Sequence, residues 1–174
     1  IAYVYLFSRQ HLERNQASVL DEVGDLEKNN GPLNTFFVCN IYYNAGLNKN
    51  AIELLSRVKL APDSYPFHYL TYMLGITKLN ALDLTAFDQF KQYVTTYKGK
   101  SFVKAAWQKK AWIALINGDT LSYNSNLKNV LAVGNDFTDE DKQALKEAKG
   151  NEMPNVLLLK ARLMFDGGYF KEAL

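Results

Sequence analysis

A few residues in this chain have the types and spacing that chemistry requires. Gly99-Lys100-Ser101 has the ending of a phosphate-binding loop, where backbone N–H groups cradle phosphates and a lysine reaches them. Such a loop needs another glycine five residues before Gly99, and Val94 stands there with no strand ahead of it. A turn between helices is the stronger reading. The acidic run Asn135-Asp136-Phe137-Thr138-Asp139-Glu140-Asp141 invites calcium. An EF-hand loop, however, places oxygen ligands at alternate positions and glycine at the sixth, where Phe137 and Glu140 interrupt the pattern. The charged start of a helix on a solvated insert is expected instead. His11 and His68 are the only histidines, and neither has a His or Cys three or four residues away to share a metal. Cys39 paired with His68 would make a nucleophile. Cys39, however, falls where helices pack closely, and a buried thiol there is inert. No catalysis, metal or cofactor is therefore expected.

The stretch 89–118 holds Lys91, Lys98, Lys100, Lys104, Lys109 and Lys110 and no acid. Tyr93, Tyr97, Phe102, Trp107 and Trp112 interleave with them. Lysines neutralise phosphates and aromatic rings stack on bases, so nucleic-acid or anionic-surface binding through 89–112 is the alternative function to keep. Against it, the whole chain carries a net charge of only +2, and Trp107 reads better as core. The acidic insert is a second candidate to answer this patch, from a neighbouring repeat or subunit.

These residues sit in a chain of 174 residues, 48% hydrophobic and 22% charged, a composition that excludes disordered and collagen-like classes. A chain of this length buries roughly 70% of the surface it would expose unfolded, enough to dispense with disulfide or metal staples. One cysteine excludes an internal disulfide framework. No apolar run approaches the ~20 residues of a membrane span. The chain opens at Ile1 and stops at Ala173-Leu174 inside a helical pattern, so a piece of a longer protein is expected. It carries no address; its richness in asparagine, tyrosine and lysine fits a low-GC bacterium, in cytoplasm or cell envelope.

The periodicities are helical throughout. Asn30-Gly31-Pro32 opens a helix that stops at Gly46, and Ala51, Leu54, Leu55 and Val58 line one face of the next. Pro66 opens a helix to about Leu79, and Asp83 introduces one carrying Ala86, Phe90, Tyr93 and Val94. Ser101 reads as the cap of a helix to Asn117-Gly118, Asp119 or Thr120 as the start of one ending at Gly134. Thr138 caps the acidic helix, and Pro154 opens a last one to Gly167-Gly168. With two helices in 1–28, about ten to eleven are expected and no strand.

The helices pair and the pairs repeat, with a small residue in each first helix (Cys39, Gly75, Ala111, Ala161) and a turn near its end. Gly46 and Gly118 lie 72 residues apart, twice 36, and Ala17 and Ala51 lie 34 apart. A period of 34–36 with two helices per unit reads as an α-solenoid of four to five hairpins, an all-α fold. The approximate repeats are 1–28, 31–60, 66–98, 101–133 and 154–174, with a helical acidic insert at 135–153. The second unit departs from the pattern, its turn reading one residue short and without glycine. At Leu157 to Leu174, above all in Gly168-Tyr169-Phe170-Lys171-Glu172-Ala173-Leu174, the chain resembles the tetratricopeptide repeat family. The Trp107, Ala111, Gly118 unit resembles it next best.

That resemblance implies a right-handed superhelix whose inner wall is lined by the first helix of each pair, and a non-catalytic scaffold binding a peptide or protein. Carried onto this chain, the wall residues are Asn40, Tyr43 and Asn44; Tyr69, Tyr72, Ile76 and Asn80; Gln108 and Trp112; and Asn155, Leu158, Arg162 and Phe165. Amides satisfy a peptide backbone, and Tyr and Trp supply rigid contact area. The family's carboxylate clamp needs lysines near an asparagine on the first wall helix. Phe36 stands one turn before Asn40, so capture of an acidic C-terminus is not expected. An enzyme working in the groove is a third reading, weakened by the scarcity of His and Cys. Weak self-association at open solenoid ends is expected.

Overall fold

The structure, a computed structural model, describes residues 32–57, 68–150 and 152–174. Every regular element among them is an α-helix: α1 (Pro32–Asn44), α2 (Asn48–Arg57), α3 (His68–Asn80), α4 (Ala86–Thr96), α5 (Val103–Ile116), α6 (Thr120–Ala132), α7 (Asp139–Gly150) and α8 (Val156–Asp166). The all-α expectation holds. The expected helices of 1–28, the start at Pro66, and the side chains of Val58 and His11 lie outside the described residues.

Four helices stop in the same way. At the end of α1, Gly46 N–H donates to Tyr43 O and Leu47 N–H to Tyr42 O, at 3.1 and 2.9 Å. This is a Schellman motif, and it requires a left-handed residue, here Gly46 at φ +70°. The same pair of bonds closes α5 around Gly118 at φ +77° and α8 around Gly168 at φ +78°. It also closes α3, around Leu82 at φ +56°. Leu82 lies 36 residues from both Gly46 and Gly118, so the second turn is in register after all. The turn lacks only its glycine. Leucine tolerates the strain there because its side chain packs against the core.

Some helix starts follow capping chemistry, while Thr85 before α4 and Phe102 before α5 make no side-chain cap. Asp119 accepts from Ser122 N at 2.9 Å, and Thr138 Oγ1 accepts from Asp141 N at 3.0 Å. At α5 the expected cap Ser101 is not the capping residue. Phe102 holds that place at φ +59° with no side-chain cap of its own. The capping carboxylate comes from Asp141, 39 residues later: it accepts from Phe102 N at 2.6 Å and Ala105 N at 3.0 Å.

α1 pairs with α2, α3 with α4 and α5 with α6, and each pair packs on the next. The small residues do what close packing demands. Cys39 and Ala111 have no exposure, and a Cβ on Gly75 would stand 2.8 Å from the Phe90 ring. Ala161 is the exception, half-buried on a helix that enters no such pair. The main core joins Tyr72, Phe90, Tyr93, Ala111, Trp112, Ile113 and Leu115. Each fully buried large side chain of this kind stabilises the fold by roughly 1.5–3 kcal/mol relative to an exposed one. Two smaller clusters flank it: Cys39, Leu55, Leu70 and Met73 on one side, and Val130, Ala144 and Ala148 with Trp107 on the other.

The last two helices correct the sequence reading. The acidic segment is no solvated insert: α7 packs on α5 and α6, with Asp141 and Ala144 fully buried. α8 turns back and packs chiefly on α3 and α5, with Leu159 and Leu163 joining the main core.

Candidate functional site

The first helices of the pairs, α1, α3 and α5, bring most of the sequence-predicted wall residues to neighbouring positions. At one end Asn40, Tyr43, Asn44, Tyr69, Met73 and Ile76 line a cavity of about 170 Å³, closed by Glu140 from the start of α7. Asn44 Nδ2 donates to Asn40 Oδ1 at 3.1 Å, one turn apart. Burial raises the pKa of Tyr43, with the Asp166 charge adding to it. Burial, then Glu140, pushes Tyr69 up to about 12. Both phenols are therefore neutral donors at any physiological pH.

Further along, Tyr72, Asn80, Gln108 and Trp112 are 1%, 3%, 1% and 4% exposed. The sequence reading placed them on an open wall; the chain covers them itself. Tyr72 is covered by the rings of Tyr69, Phe90, Tyr93 and Phe102, and Asn80 by the turn after α8. Gln108 and Trp112 are covered by α7, with α8 beside Trp112. Glu147 of α7 accepts from Trp112 Nε1 at 2.8 Å and from Gln108 Nε2. Lys109 Nζ sits 3.7 Å above the Trp112 ring and donates to Gln108 Oε1 at 3.0 Å. Arg162 of α8 approaches the same ring, its Cζ 5.9 Å from the centroid. Burial lowers Lys109 to about 8, Glu147 opposing the shift and Arg162 adding to it.

α8 thus lies along the face formed by α3 and α5. Asn155 caps it, accepting from Leu157 N and Leu158 N at 3.0 and 3.1 Å. Leu159 and Leu163, four apart on one side, enter the core beside Trp112, with Val156 packed against them. The turn after α8 docks on the turn after α1. A Cβ on Gly168 would stand 2.1 Å from Gly46 O, and Asn48 Nδ2 donates to Tyr169 Oη at 3.3 Å. The opposite side of α8 is bare: Leu157, Leu158 and Phe165 are 76%, 71% and 62% exposed. Of the four positions assigned to a last wall helix, Asn155 caps α8, Arg162 meets Trp112, and Leu158 and Phe165 are exposed. All four belong to α8 or its cap, on the helix that packs on α3 and α5.

Between α7 and α8 an opening of about 560 Å³ leads to Trp112. Gln143, Lys146 and Glu147 form one side, Asn155, Leu158 and Arg162 the other, and Glu152 to Pro154 the rim. It mixes both signs of charge with an aromatic floor and leucines.

The lysine stretch divides. Lys104 Nζ donates to Val130 O at 2.6 Å and is buried. Lys110 lies 3.6 Å from the Trp107 centroid and 5.1 Å from that of Phe87; burial, then Lys91, lowers it to about 8. Lys91, Lys98 and Lys100 face solvent. Cys39 is buried among Leu55, Leu70 and Met73, while His68 lies beside Thr96 and Tyr97. Among the described residues no group of His, Cys, Asp and Glu could hold a metal, and no helix is long and apolar enough to cross a membrane.

Glu140, Asp141 and Glu147 were not singled out as site residues from the sequence, yet they meet α3 and α5. Their signal was present as acids at the start and on one face of an otherwise poor apolar helix. Comparison with protein-family models, with curated proteins and with solved structures gives no match.

Proposed function

We propose that this chain is a non-catalytic protein-interaction scaffold of the tetratricopeptide-like kind. Its hairpins stack as a short α-solenoid, and the inner wall of α1, α3 and α5 receives a helical segment of a protein partner. The observation that carries this reading is α8 itself, an amphipathic seat of Leu159 and Leu163 laid across α3 and α5. Helix-in-groove recognition uses this arrangement of anchors on one helical face. The mixed opening at Trp112 offers a partner further contact. Nucleic-acid binding is favoured less, because Lys104, Lys109 and Lys110 are engaged inside the chain.

The test is selection of helical peptides of about 16 residues against the full chain, a length of roughly four turns. Selected peptides should bind with micromolar affinity and weaken at least tenfold with Trp112→Ala. Lys98→Glu with Lys100→Glu should leave them unchanged. If no peptide is enriched, or if the lysine pair rather than Trp112 controls binding, the reading is wrong.

A further inference from the structure

We infer that the cavity between α1, α3 and the start of α7 binds a primary alkylammonium group, carried by a free amine or by a lysine side chain. The inference goes beyond the scaffold reading and does not depend on it. The cavity, of about 170 Å³, is smaller than the roughly 300–1,000 Å³ of drug-sized sites, so its ligand is small. Its walls divide by chemistry. Met73 and Ile76 of α3 form an apolar side. Helix α1 and Tyr69 bring amides and phenols, and Glu140 supplies the one formal charge on the wall.

That charge is uncommitted. Of the three acids in the first turn of α7, Asp139 pairs with Lys142 at 2.9 Å, and Asp141 is taken up by the amides of α5. Glu140 makes no ion pair among the described residues. Lys109, a cation that feels its charge, is held on the Trp112 ring and Gln108. Burial raises the pKa of Tyr43, Tyr69 and Tyr72, and the Glu140 charge adds to all three, so the carboxylate and the phenols share one region. An ammonium has three N–H donors and needs acceptors for them. The Glu140 carboxylate and the tyrosine hydroxyl oxygens are two kinds of acceptor on this wall. Asn40 Oδ1 is another: it accepts from Asn44 Nδ2 at 3.1 Å and keeps a second lone pair. Tyrosine rings also attract a cation, and Met73 and Ile76 can take its alkyl chain. An anion would meet Glu140 with no cation on the wall to offset it.

The test is methyl NMR of the full chain, labelled at its methionine methyls and titrated with butylammonium chloride. Met73 lines the cavity, whereas Met153 borders the opening at Trp112 and Met164 lies in α8. Met73 alone should shift, saturating in the millimolar range expected of a ligand with so few atoms. Butanol, the same chain without the charge, should give no saturating shift. Glu140→Gln replaces an exposed side chain, leaves the fold intact and should weaken the ammonium at least tenfold. An equal response to butanol, an unchanged affinity with Glu140→Gln, or no shift of Met73 would overturn the site. Nα-acetyl-lysine methylamide separates the two sources. Binding as tight as that of butylammonium assigns the site to a partner's lysine, and its failure where butylammonium binds assigns it to a free amine.

Discussion

Replacing Asp141 with alanine should destabilise the fold far more than replacing any other acid of its run. The carboxylate is wholly buried and takes three hydrogen bonds: Phe102 N at 2.6 Å, Ala105 N at 3.0 Å and Thr138 Oγ1 at 2.7 Å. Two of these are the otherwise orphaned first amides of α5, whose capping residue is a phenylalanine with no side-chain oxygen. Hydrogen bonds to a charged group contribute about 1.5–3 kcal/mol each, and a buried donor left unpaired costs about 1–3 kcal/mol. The three bonds share one side chain and do not add fully, so Asp141→Ala should cost about 3–5 kcal/mol. For a protein of this size that lowers Tm by roughly 6–15 °C. Circular dichroism at 222 nm during heating reads it directly, with urea unfolding as a check on the slope. Asp139→Ala and Glu140→Ala, both exposed, should stay within about 0.5 kcal/mol of the parent. If Asp141→Ala moves Tm by less than 2 °C (roughly 1 kcal/mol), or no more than Asp139→Ala does, the long-range cap is wrong. The acidic run would then be the solvated face its sequence resembles.

Three further outcomes follow from the same geometry. Gly118→Ala and Gly168→Ala pay the same left-handed strain, at φ +77° and +78°, but only the second meets backbone, Gly46 O at 2.1 Å. Differential scanning fluorimetry should therefore show Gly168→Ala less stable than Gly118→Ala by about 1–3 kcal/mol; equal losses would mean the two turns do not touch. Ala111→Leu, at a position with no exposure, should overpack the helix pair and cost about 2 kcal/mol, and tolerance of it would misplace the packing register. Stability should rise with pH between about 8 and 10, because Lys109 and Lys110 are lowered to about 8 by burial and the unfolded chain binds more protons there. Above about pH 10 it should fall, since buried Tyr69, Tyr72 and Tyr93 keep protons that the unfolded chain releases. A urea midpoint that declines steadily from pH 7.5 would contradict the burial of the two lysines.

The helices were legible because their signals are local. Pro32, Gly46, Asp119, Thr138 and Gly168 each act within one turn of the chain, through fixed φ, left-handed freedom or a capping oxygen. The 36-residue spacing was legible from Gly46 and Gly118, but its midpoint was hidden because Leu82 adopts a glycine's conformation. What pairs across distance was not legible. Asp141 reads as one solvated acid among several until Phe102 and Ala105 turn toward it. Trp112 reads as a wall aromatic because nothing nearby in sequence announces the helices that cover it. The one available signal was in Val156-Leu157-Leu158-Leu159: four consecutive apolar residues put apolar side chains all round the first turn of the helix, which forecasts contact on more than one face there. Lys104, Lys109 and Lys110 misled for the related reason that a lysine stem packs on aromatic rings while its charge finds a carbonyl or a π-face.

The central claim is that the inner wall of α1, α3 and α5 receives a helix, and a selected peptide tests it most directly. A fluorescent helical peptide selected against the full chain is titrated with it at physiological salt, beside the Trp112→Ala chain. The account predicts a micromolar complex that weakens at least tenfold with Trp112→Ala. A complex on which Trp112→Ala has no effect would contradict the account.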